Sequence, residues 1–334
     1  MPSQPPLPPL LSPYLSDQPE SSLTVVSSVL GATSNWLVLR YLYAALSTNG
    51  KVSSPGHDEL IPSTQQKVVL VSFLRSWDFW RTEAKRLGLD LARLKDKQQF
   101  VFVDGLSELF TAPGHASSSP VNAGSTARAS LPIRSQAGPV PGRVPLQQPA
   151  QEPRSRGELS GFMKLHFHGH GTAALDAMER DIIAGITRQK SSDEVLLIID
   201  QPDFLLAATG PSLGIGATEM AEWVMGLQQH AHATILTLAA DSPLIHNAST
   251  YGHGETTLVE TEHASFAIGL AHRARTVMQL RMLETGAARD VSGVLRISRG
   301  GGWNAEMKNG LDERELLYYI QRDGGLRVFG RGES

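Results

Sequence analysis

Residues 23–46 read LTVVSSVLGATSNWLVLRYLYAAL. The first eight, Leu23 to Leu30, are mostly β-branched or aliphatic and predict a strand. Gly31 interrupts the run, and Ser34 to Leu46 then supplies a helix that is apolar on nearly every side, the pattern of a buried helix. Strand, glycine turn and helix in this order is where a phosphate-binding loop sits in an α/β domain. Laid on the pattern G-x-x-x-x-G-K-[ST], Gly31 matches the first glycine, but Trp36 replaces the second, Leu37 the lysine and Val38 the hydroxyl residue. Trp36 brings a ring where backbone must wrap a phosphate, Leu37 cannot neutralise charge, and Val38 has no oxygen to offer magnesium. Nucleotide hydrolysis is expected to be absent there. No catalytic residue, cofactor or metal is assigned.

Working outward, Val68 to Leu74 predicts a second strand, Ser76 to Leu87 a helix, and Phe100 to Val103 a third strand. Phe162 to His168 reads as an edge strand, and Ala173 to Arg188 as a helix with Leu175, Met178, Ile182, Ile183 and Ile186 at helical spacing. Val195 to Ile199 is wholly apolar, which predicts a strand covered on both faces, hence parallel and central. Glu219 to His230 is helical, Thr234 to Leu238 a strand, and Glu255 to His272 a helix. Thr276 to Leu283, Val294 to Ser298, Leu316 to Gln321 and Leu326 to Phe329 read as short antiparallel strands. The predicted fold class is therefore α/β, a RecA-like three-layer fold with a mostly parallel central sheet and a C-terminal antiparallel β-meander. Asp200, ending its strand, has the form of a Walker-B aspartate. Without the phosphate-loop partners, a strand-terminal Asp that starts an Asp200-Gln-Pro-Asp turn is the more ordinary reading.

The chain has 334 residues, with 30 basic against 33 acidic groups and a net charge of −3, which excludes a histone-like polycation. With no cysteine, disulfide frameworks, thiol nucleophiles and Cys-ligated metals are excluded together. Fifteen of the 20 prolines fall in residues 1–20 and 111–158, so both segments are expected to be disordered. Removing them leaves roughly 265 residues, about one domain spanning 21–330 and interrupted by 111–158. No signal peptide or membrane span is expected: Ser21 to Leu39 holds eight Ser, Thr or Asn among nineteen residues.

The runs LTVVSSVLGATSNWLVLRYLYAAL, VVLVSFLRSWDFWRTEAKRLGLDL, FVFVDGLSELF and VLLIIDQPDFLLAATG together resemble the Elongator protein 6 family, in particular its fungal members. The resemblance spans about Leu10 to Phe110 and Phe162 to Gly330. It implies a RecA-like fold lacking Walker motifs and a heterohexameric ring built with Elongator subunits four and five. It also implies contact with the remaining Elongator subunits, tRNA binding by the assembled ring, and support of wobble-uridine modification in cytoplasm and nucleus. The family has no active site on this subunit to carry over. The insertion at 111–158 lies outside the shared pattern.

Charge is unevenly placed. Ser191 to Leu270 carries ten acidic residues and no Lys or Arg, whereas Ala271 to Ser334 carries eleven basic against eight acidic. Complementary faces for a head-to-tail contact would produce this, and so would dispersed, solvated charge. Arg273, Arg275, Arg281, Arg289, Arg296 and Arg299 are candidates for tRNA phosphates, or else form the solvent side of strands. No RNA-recognition signature with paired aromatics is visible. Trp36, Trp77 and Trp80 fall on predicted helices and read as core or interface anchors.

Three rival chemistries stand beside this reading. An ATPase or kinase with an atypical phosphate loop would rest on Asp200 and topology. Gly210-Pro-Ser212-Leu-Gly214 matches the G-x-S-x-G nucleophile elbow, with Asp241 and then His246, His253, His263 or His272 in hydrolase order. The elbow needs a strand leading straight into a helix, and the clearest strand ends at Ile199. His166, His168 and His170 could share a strand face and hold zinc or copper, although no carboxylate is near in sequence.

Overall fold

The computed structural model describes residues 7–16, 18–47, 66–111, 161–189, 194–246, 256–284, 286, 288–304 and 311–330. The opening unit forms as strand β1 (Ser22–Ser28), buried along its whole length, and helix α2 (Asn35–Leu46). Its neighbours explain that burial. β1 pairs in parallel with β6 (Ala233–Ala239) on one side and β7 (Thr276–Arg281) on the other. The sheet continues through β5 (Val195–Asp200), β2 (Lys67–Ser72), β3 (Phe100–Asp104) and the short edge strand β4 (Phe162–Lys164), all parallel.

Beyond β7 the pairing turns antiparallel through β8 (Gly293–Arg299), β9 (Arg314–Ile320) and β10 (Leu326–Gly330). The ten-stranded order is β10-β9-β8-β7-β1-β6-β5-β2-β3-β4. This is the RecA-like α/β arrangement with one refinement: β7, read as a meander strand, is antiparallel to β8 but parallel to β1. The wholly apolar β5 is central and parallel because neighbours and helices remove both its faces from water.

Helices cover the two faces of the sheet. On one lie α2, α3 (Trp77–Arg86) and α4 (Leu91–Asp96), whose Leu37, Trp80 and Leu91 join Val68, Phe100 and Tyr318 in one core. On the other lie α5 (Thr172–Gln189), α6 (Asp203–Thr209), α7 (Ala217–Gln228) and α9 (Leu258–Arg273), sharing a second core with Val69, Leu197 and Leu236. Each fully buried Leu, Ile or Phe contributes roughly 1.5–3 kcal/mol by leaving water. Caps fix the helix starts. Ser76 Oγ accepts from Phe79 N, and Thr257 and Glu260 form a reciprocal capping box at α9.

Three expectations need correction. The proline-rich start is ordered from residue 7 to 16, where helix α1 (Ser12–Leu15) buries Leu11, Tyr14 and Leu15 against the first core. Pro13 suits a helix's first turn, and Leu11, Tyr14 and Leu15 share one face at i, i+3 and i+4. The edge strand ends at Lys164 instead of His168, since its partner β3 ends at Asp104 and the next residues bond to the loop beyond it, Phe167 N donating to Leu109 O. The Asp200-Gln-Pro-Asp stretch leads directly into α6, which the sequence reading missed, because Pro202 and Asp203 also make a good helix start. The insertion expected at 111–158 lies, apart from Thr111, outside the described residues. No described helix is long and apolar enough to cross a membrane.

Candidate functional site

Ligands of open parallel sheets settle beyond the carboxyl ends of strands, where successive connections leave for opposite faces. Here the helices after β1 and β2 pack on one face and those after β5 and β6 on the other. Two crevices result, one between β1 and β6 and one between β2 and β5.

The first crevice is closed by apolar side chains and one carboxylate. A Cβ on Gly31 would overlap the sulfur of Met282, which lies over the turn. Trp36 stacks against Tyr318 with ring centroids 4.7 Å apart, and Leu37 and Val38 are fully buried. Leu30 N donates to Asp241 Oδ1 at 3.0 Å, so a turn amide already holds a negative charge. Helix starts of this kind attract phosphate through free amides and the helix dipole. At this one a carboxylate and a thioether stand in the way, and Leu30 projects 86% exposed beside them.

The second crevice is closed by hydrogen bonds. Asp200 is fully buried. Its Oδ2 accepts from Ser72 Oγ at 2.9 Å and its Oδ1 from Thr237 Oγ1 at 3.0 Å. Arg75 Nη1 donates to both oxygens, at 2.9 and 3.1 Å. Trp80 Nε1 donates in turn to Ser72 Oγ at 3.2 Å. Burial pushes the Asp200 carboxyl up, and the Arg75 charge and these hydrogen bonds pull it back in part. Both carboxylate oxygens are engaged by cation and hydroxyls, which leaves a poor magnesium ligand. Gln201, next in the chain, sits at φ +57, a left-handed conformation that costs a non-glycine residue roughly 1–2 kcal/mol. Ser72, Arg75 and Thr237 were not singled out from sequence. The available signal was a polar residue ending β2 and β5 and another near the carboxyl end of β6.

The six candidate arginines are scattered by the fold. Arg273 turns back onto α7, donating to Ala221 O and Gln228 Oε1, and burial lowers its affinity for its proton. Arg275 is buried beside Tyr14 and Arg314. Arg281 bridges Glu315 and Glu284, and the Glu315 hydrogen bond raises its pKa. Arg299 donates to Leu311 O and lies 4.0 Å over the Trp303 ring. Arg296 is exposed but faces Glu315 across the strand pair, and Arg289 is exposed between β7 and β8.

The rival chemistries gain no geometry. Ser212 lies in a single 3-10 turn after α6, not on a strand-to-helix elbow, and its Oγ donates to Thr209 O. His253 is outside the described residues, and the buried His263 instead meets Asp203 Oδ2 at 3.3 Å. The His166 and His168 rings stack in parallel 5.4 Å apart, with His166 Nδ1 at Glu108 O. Among the described residues no three metal-binding side chains converge.

No family model matches the chain. It is 24% identical over 313 residues to Elongator complex protein 6 of Xenopus laevis, an alignment covering 92% of this chain and 97% of that protein. The chain is similar to Elongator complex protein 6. The Elongator likeness thus runs along nearly the full length of both proteins, as the four quoted runs suggested.

Proposed function

We propose that this chain is a non-catalytic subunit of Elongator. In this reading it stands in a heterohexameric RecA-like ring with subunits four and five, contacts the remaining subunits, and supports wobble-uridine modification of tRNA in cytoplasm and nucleus. The observation that carries the non-catalytic part is the turn after β1, where Met282, Trp36 and the Asp241 carboxylate stand where a triphosphate would need glycine, lysine and free amides. A RecA-like scaffold without that cradle keeps its surfaces, and the Elongator likeness indicates the assembly they serve. The exposed Arg289 and Arg296 are the best placed of the candidate arginines to reach tRNA phosphates, an attraction that weakens with salt.

Co-expression with Elongator subunits four and five, followed by mass measurement and a tRNA titration of the assembled particle, tests the proposal. The expected result is a six-membered particle that binds tRNA in a salt-dependent way, with the isolated chain taking up no ATP in calorimetry. A chain that stays alone, or that binds and hydrolyses ATP with magnesium, overturns it and revives the atypical-loop ATPase.

A further inference from the structure

Helix α9 has two uncharged faces, and the core accounts for one of them. Inward it buries His263, Phe266, Ala267 and Leu270. A surface helix ordinarily opposes such a stripe with charged residues. Here Leu258, Thr261, Ser265, Ile268, Gly269 and His272 fall within an arc of about 100° on the outward side and include no Lys, Arg, Asp or Glu. Leu258 is 58% and Ile268 46% exposed.

Beside this stripe runs a groove of about 500 Å³, lined by Ile245 of α8 (Ser242–Ile245) and by Ala264, Ser265, Ile268 and Gly269 of α9. Among the described residues nothing lies within 4 Å of the position a Cβ on Gly269 would take. No described contact therefore calls for a residue that helix interiors disfavour. Backbone bared in this way lets another chain approach closely. Charge indicates which kind. Ser191 to Leu270 holds no Lys or Arg, and Glu260 lines the groove. Hydrogen bonds from Thr257 hold the Glu260 carboxyl below the usual carboxylate range, so it is ionised at neutral pH.

We propose that the α8–α9 groove receives an amphipathic helix of a neighbouring Elongator subunit, one that packs aliphatic side chains beside Ile268 and Gly269 and sets Lys or Arg against Glu260. This rests on the Elongator reading above and adds which surface is used and what lies on it.

Because the chain has no cysteine, one introduced thiol reports alone. Ser265→Cys is labelled with a maleimide in the free chain and in the particle formed with subunits four and five, the label being read on this chain by mass, with Lys97→Cys just after α4 as the control. The expected result is labelling slowed at least ~10-fold by assembly at Ser265→Cys and unchanged at Lys97→Cys, the ordinary contrast between a packed and a solvated thiol. Gly269→Leu, which favours the helix, should weaken assembly at least ~10-fold while leaving the circular dichroism and melting of the free chain intact. Assembly should also weaken as salt rises. Equal labelling in both states, or unchanged assembly of Gly269→Leu, overturns the groove as the docking surface while the Elongator reading stands. A wild-type chain that forms no complex overturns both.

Discussion

The two crevices at the carboxyl edge of the sheet are closed by opposite physics. At the turn after β1 the filling is largely apolar: Met282 over Gly31, Trp36 against Tyr318, and Leu37 and Val38 within the core. Between β2 and β5 it is a buried polar network of Asp200, Arg75, Ser72, Thr237 and Trp80. An apolar plug tolerates changes of shape and fails when charge is introduced. A polar network tolerates little, because removing one member leaves the others desolvated and unpaired.

The sharpest way to break the contrast is to rebuild the phosphate loop with Trp36→Gly, Leu37→Lys and Val38→Ser together. Losing a buried Trp costs about 3–5 kcal/mol, and an unpaired buried lysine adds several more. The triple variant should unfold at far lower urea than the natural chain and bind no ATP. A stable, nucleotide-binding variant would show that the crevice is dormant instead of filled.

Asp200→Ala should come next, at about 3 kcal/mol, because it leaves the half-buried Arg75 guanidinium without its carboxylate and the buried Ser72 and Thr237 hydroxyls without their acceptor. Double-mutant cycles with Arg75→Met should recover part of that loss. Additive effects would show that the network is not a unit.

Alkaline titration probes the apolar side. Burial holds the Tyr318 hydroxyl up to about 12. The unfolded chain loses that proton near 10, so stability is present below about pH 10 and falls as pH rises towards 12. The loss from this group is on the order of 2–3 kcal/mol, and Tyr318→Phe should remove that share of the slope in pH-dependent melting.

A smaller effect is expected at Arg40 of α2. It is 3% exposed, donates to Gly324 O at 3.0 Å, and burial lowers its pKa to about 10. Among the described residues it has no carboxylate partner. Arg40→Met should raise stability by roughly 1 kcal/mol, since relief from desolvation outweighs one hydrogen bond to a carbonyl. Smallest of all, Asp241→Ala should cost about 0.5–1 kcal/mol and still not admit ATP, because Met282 remains in place.

Much of this fold is legible in the chain, and the reason is local. β1, α2, β2, β5 and β6 are runs whose composition alone demands burial, so type and order follow from pattern. The loss of phosphate chemistry is legible too, since it concerns residue types at Trp36, Leu37 and Val38. What fills the space is not legible. Met282 reaches Gly31, and Asp241 reaches Leu30, across more than 200 residues of sequence, and no periodicity marks such meetings. α1 and α6 were missed because proline was read as a mark of disorder in the first and of a turn in the second, where it opens a helix. The arginines looked like a cluster because they alternate along the chain, yet the strands and turns that carry them send the side chains to different partners.

β1 has one further consequence, in how the molecule is made. It leaves the ribosome long before its two neighbours, which begin at Ala233 and Thr276. At ordinary translation speeds the gap of roughly 210 residues lasts on the order of 10–40 s. Throughout that interval a sticky, unpaired ribbon must be shielded by something other than its final companions, so the nascent chain is expected to depend on chaperones until β6 and β7 emerge.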